Sequence, residues 1–102
     1  MGKIKVIVKR PDEKVGHIEE IENELESFQD IVEGYIESVF LSSSLVFICN
    51  EEGKIRSMRY NFSTDTDDIM GPVIICGVNG EDFSDVSISL ESWEQQLKDW
   101  GN

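Results

Sequence analysis

Catalytic raw material is scarce in this sequence. Its 102 residues contain one histidine, His17, two cysteines, Cys49 and Cys76, and nine lysines and arginines against 21 aspartates and glutamates. Each shortage excludes something. Two cysteines cannot build a disulfide framework, and these two close the apolar runs LVFIC and VIIC, where burial raises a thiol's pKa. Both are expected as free, buried and unreactive. His17 lies in no catalytic motif and is expected on a strand surface rather than as a general base. Ser42, Ser43 and Ser44 lack the strand-to-helix setting of a nucleophilic serine and are expected in a loop. Asp65, Asp67 and Asp68 fail the calcium-loop pattern, because Ile69 and Met70 stand where an oxygen ligand and a glycine are needed. Gly71, Gly77 and Gly80 follow no phosphate-loop spacing. The expectation is a protein that is not an enzyme and takes no metal or cofactor.

Long hydrophobic runs are missing too. Nothing approaches the roughly 20 apolar residues that span a bilayer, and MGKIKVIVKR alternates charge with aliphatics instead of forming a signal peptide. A cytoplasmic location is expected. With so few cations the net charge is -12, which repels phosphate backbones and anionic membranes, so direct nucleic-acid or membrane binding is not expected. The same charge serves either solubility or an acidic binding surface.

What is present is patterning. A chain of this length supports one core and is expected to be a single domain. Residues 3–9 alternate as a half-buried strand, with Ile4, Val6 and Val8 on one side. His17 to Ile21 is expected as a short partner strand. Asn23 stands where a helix N-cap belongs, Leu25, Phe28, Ile31 and Val32 follow at helical spacing, and Gly34 is placed to close the helix in a left-handed cap. The helix is expected over 23–33. Strands are expected at 35–41, 45–49, 54–58 and 73–78, with Asn50 to Gly53 as a tight turn and 63–68 as a mobile acidic loop. Leu90, Trp93, Leu97 and Trp100 share one face of a terminal helix. Its two indoles are expected in the core; an exposed one would anchor a partner or a second copy. The fold class is therefore α+β, a mostly antiparallel sheet of five or six strands with two helices packed on it.

One segment runs against the acidic background. KIRSMRYN at 54–61 holds three of the nine cations, Lys54, Arg56 and Arg59, followed by Tyr60 and Asn61; removing those three from a net charge of -12 leaves -15 on the rest. Guanidinium groups grip phosphate or carboxylate, tyrosine stacks on a base, and asparagine reads an edge. Lys54, Arg56, Arg59, Tyr60 and Asn61 are thus the candidate site for a small anionic, nucleotide-like ligand.

Ile21, Glu22, Asn23, Leu25, Gln29, Val32, Gly34, Tyr35, Ile36 and Glu37, then NEEGK at 50–54, Asn61, and Ile69 with Gly71 before an apolar strand, resemble the family called domain of unknown function 3846. The likeness covers residues 18–78. It implies a protein of phages, plasmids or other bacterial mobile elements, and brings no catalytic residues. The chain departs from the family pattern at Arg59 and Tyr60, where a small apolar residue or proline commonly precedes the asparagine.

Two functions compete on this reading. The first is sequestration of a small anionic host molecule, a nucleotide-type defence signal, at the cation cluster. The second is an acidic, DNA-mimic-like interaction protein covering a basic surface of a host protein through runs such as Glu19, Glu20, Glu22, Glu24, Glu26 and Asp65, Asp67, Asp68.

Overall fold

A computed structural model describes residues 2–102. In chain order the elements are β1 (Lys3–Lys9), β2 (His17–Glu22), α1 (Leu25–Val32), β3 (Ile36–Phe40), β4 (Leu45–Asn50), β5 (Tyr60–Ser63), β6 (Asp68–Met70), β7 (Val73–Asn79), β8 (Asp82–Ser84) and α2 (Leu90–Asp99). Six strands form one antiparallel sheet in the order β2-β1-β7-β4-β3, with β8 beside β7, while β5 and β6 pair as a separate hairpin. The α+β architecture read from the sequence is the one observed.

The two continuous apolar runs become β4 and β7 because these strands are covered on both faces. Val46, Ile48, Ile74 and Cys76 pack with Val6, Val8, Phe28 and Val32 under α1. Phe47, Ile75 and Val73 turn the other way and pack with Ile7, Phe62, Trp93 and Leu97 under α2 and the β5–β6 hairpin. The helices thus lie on opposite faces. Trp93 is fully buried, its indole Nε1 donating to the Val15 carbonyl at 2.9 Å, and Trp100 stacks on Phe62 at 6.1 Å. Trp93 is in the core, as its helical spacing predicts, while Trp100 is partly buried and packs against that core.

Four local expectations are corrected. Residues 54–58 are not a strand: Arg56, Ser57 and Met58 donate their N–H groups back to Glu52, Lys54 and Gly53 in successive turns. Both edges of β4 are already occupied, by β3 and β7, so a strand returning from Asn50 would find no edge to join. Ile55 in this segment is 83% exposed. Residues 63–68 are not all loop: Ser63 ends β5 and Asp68 begins β6, and the turn between them is held by Thr64, whose N–H reaches the Asp67 carbonyl at 2.8 Å and whose hydroxyl receives the Thr66 and Asp67 N–H groups.

The other two concern α1. Its N-cap is Glu24, with no side-chain cap bond, because Asn23 extends the β1–β2 ladder through Gly2 and spends its amide on the Phe83 carbonyl at 3.0 Å. The left-handed residue that ends it is Glu33, at φ 67°, not Gly34. Gly34 is required for space instead: a Cβ there would lie 2.6 Å from Asn50 Nδ2 and 2.9 Å from Arg56 Nη1.

Candidate functional site

The segment 54–61 follows β4, turns twice, and enters β5, so its side chains leave the backbone in different directions. The five residues do not converge. Lys54 is hydrogen-bonded to Asp67, which holds the lysine pKa above and the aspartate pKa below their ordinary values. Arg56 turns back to α1, where Nη1 donates to the Glu33 carbonyl at 3.0 Å. Beside it Asn50 donates to the Val32 carbonyl at 3.0 Å and accepts the Glu52 N–H at 2.7 Å. Together they satisfy carbonyls that the end of a helix leaves open. The depression around Arg56 also contains Asp30, Glu33 and Glu52, so an anion there would meet three carboxylates.

Tyr60 is half exposed, its hydroxyl 2.6 Å from Ser63 Oγ. Asn61 is buried and fully committed: Oδ1 accepts from Lys9 Nζ at 2.6 Å, and Nδ2 donates to the Lys9 and Gly71 carbonyls, each at 2.8 Å. An amide so bound ties β1 to β5 and has no donor left for a ligand. Lys9 is itself buried, also donating to the Glu13 carbonyl at 2.8 Å with its Nζ 5.7 Å from the Phe62 ring centroid, and burial lowers its pKa. Arg59 is exposed and makes no ion pair among the described residues. It shares a depression of about 270 Å³ with Arg10, a residue the sequence pattern does not single out.

A different site emerges between β3–β4 and the hairpin. A cleft of about 340 Å³ has an apolar floor from Val39, Cys49 and Ile69, with exposed Ile55 at its side. Glu37, Glu51, Asp67 and Asp68 line it, and among the described residues Lys54, already held by Asp67, is its one cation. The cleft is therefore negative. Cys49 reports this: burial first, then the nearby Glu37 and Asp67 carboxylates, push its thiol up to about 11. No sequence spacing could assemble it, because β3–β4 pairing sets Glu37 against Cys49 while Asp67 and Asp68 arrive from a separate hairpin.

The remaining reactive groups are occupied. Cys76 is buried, which raises its pKa to about 12. His17 lies on β2 between Glu13, 2.7 Å from Nδ1, and Glu19, 2.9 Å from Nε2; those two hydrogen bonds raise its pKa. Among the described residues, no cluster of three or more histidine, cysteine or acidic side chains could hold a metal ion. No helix described is long and apolar enough to cross a membrane.

No curated protein and no solved structure gives a significant match to the chain. One family does, over residues 4–98, well beyond the stretch where the motif residues lie. The geometry gives several of those residues architectural work: Asn50 and Gly34 at the end of α1, Asn61 and Gly71 at the junction with Lys9. The chain belongs to the family described as Domain of unknown function (DUF3846).

Proposed function

We propose that this chain is a non-catalytic interaction protein, serving a bacterial mobile element, that acts by covering a basic surface of a host protein. The acidic cleft beside Ile55 carries the reading. Four carboxylates facing one neutralised lysine attract cations, and the apolar floor suits the aliphatic stem of a lysine or arginine side chain. The surrounding surface points the same way: only four of the 21 carboxylates, Glu13, Glu19, Asp67 and Glu94, form ion pairs among the described residues. Inert thiols and a histidine clamped between carboxylates support the absence of catalysis.

A second reading, sequestration of a small nucleotide-type anion, retains one observation. Arg10 and Arg59 border the same depression and neither is in an ion pair among the described residues, although Asp12 and Glu33 lie there too. Backbone amide NMR separates the readings. Titration with a short lysine- and leucine-containing peptide should shift resonances at Glu37, Glu51, Ile55 and Asp68, while cyclic and linear nucleotides should leave Arg10 and Arg59 unmoved. Nucleotide shifts at Arg10 and Arg59 with none from the peptide would reverse the order.

A further inference from the structure

A sheet has two edges, and an unpaired edge strand templates another chain unless charge, proline or cover blunts it. The two edges here differ. β2 reads HIEEIE, with three carboxylates and a histidine hydrogen-bonded to two acids. β3 reads IESVF, with Glu37 its only charge and with Tyr35 (71% exposed), Phe40 (60%) and Leu41 (36%) on or beside it.

The hydrogen bonds fix which groups of β3 are free. The Tyr35 carbonyl accepts the Glu51 N–H at 2.9 Å, and the Leu41 N–H reaches the Leu45 carbonyl at 2.9 Å, both toward β4. Backbone direction alternates along an antiparallel strand, so Glu37 and Val39 also bond β4. Ile36, Ser38 and Phe40 turn their N–H and C=O groups away from the sheet, where they meet no backbone partner among the described residues.

We propose that β3 pairs antiparallel with β3 of a second copy about a two-fold axis through Ser38, making one continuous sheet across a homodimer. This register sets Ser38 against Ser38 and Ile36 against Phe40, so all three outward residues exchange both backbone bonds. It also sets Tyr35 against Leu41 and Glu37 against Val39, covering the exposed apolar side chains with no carboxylates directly opposed. A shift of the axis to Glu37 would oppose the two glutamates and leave Phe40 outside the paired strand; a shift to Val39 would leave Ile36 outside it. The occupant that fits is therefore the strand itself. With -12 on each copy, association strengthens as salt screens the repulsion.

Sedimentation velocity of the full chain from micromolar to millimolar concentration, at low and high salt, reads the assembly. A dimer favoured by concentration and salt is expected. Ser38→Pro removes an N–H that points outward and no β3–β4 bond, so the variant should keep its circular dichroism while dimerising about tenfold or more weakly. Phe40→Glu should weaken the dimer similarly and serves if the proline variant does not fold. Hydrogen exchange adds a position-specific readout: the Ile36, Ser38 and Phe40 amides should slow as concentration rises. A chain that stays monomeric throughout, or a dimer in which those three amides still exchange fast, would overturn the proposal.

Discussion

Lys9 and Asn61 are joined twice: the ammonium donates to the amide oxygen at 2.6 Å, and the amide nitrogen donates back to the Lys9 carbonyl at 2.8 Å. Asn61→Leu would keep the volume and remove both bonds, leaving a buried ammonium with a single protein acceptor. A loss of about 2 to 4 kcal/mol in unfolding free energy is expected from urea denaturation, since hydrogen bonds to buried charges are the costly ones to break. A variant as stable as the parent would mean that Lys9 finds another partner.

How much of this was legible depends on whether the signal is local. The apolar runs that became β4 and β7, and the spacing of Trp93 and Leu97, state their own burial, so the sheet, both helices and the buried thiols could be read directly. Residues 54–58 could not, because what forbids a strand there is the occupancy of β4's edges by β3 and the distant β7. β8 was missed for a related reason. Its three residues pair only with the end of β7, where Gly77 leaves room: a Cβ there would lie 2.3 Å from the Asp85 carbonyl oxygen. The side chains of the cation cluster point apart because proximity along a turning chain does not fix direction, and Arg56 and Asn61 are bonded to backbone carbonyls. The acidic cleft drew on elements separated in sequence and was invisible.

The arginines of that cluster should behave unequally. Arg56→Ala removes a bond to the Glu33 carbonyl and should destabilise by about 1 kcal/mol. Arg59→Ala should fall within about 0.5 kcal/mol of the parent, as surface changes do. Gly34→Ala should cost more than either, because its methyl group would displace the Asn50 and Arg56 side chains together. Chemical denaturation of the three variants gives the ranking; equal stabilities would contradict the account of the α1 terminus.

The thiols offer a kinetic check. With pKa values pushed up to about 11 for Cys49 and about 12 for Cys76, almost no thiolate exists at neutral pH, and both side chains are buried. Alkylation of the folded protein should be slow at both positions and should become fast in denaturant. Glu37→Gln should lower the Cys49 pKa while leaving Cys76 unchanged. Rapid labelling of native Cys76 would contradict the burial of β7.

His17 carries a pH dependence of defined sign. Its folded pKa is raised above 6.5 by hydrogen bonds to Glu13 and then Glu19, so the folded state holds the proton more tightly than the unfolded chain. The stabilisation is fully present below the unfolded value and fades as pH rises through the folded one. NMR titration of the imidazole should show the raised midpoint, and Glu13→Gln should bring it down. A midpoint at or below 6.5 in the parent would remove the clamp.

The central claim, that the cleft between β3–β4 and the hairpin attracts a basic partner, is tested most directly by calorimetry with a lysine- and leucine-containing peptide. The parent should bind it, more weakly at physiological salt than at low salt, because exposed charges are screened beyond about 8 Å there. Glu37→Gln combined with Glu51→Gln removes two of the four carboxylates that line the cleft and should reduce affinity about tenfold or more. Equal affinity for parent and double variant, or no peptide binding at low salt, would contradict the account.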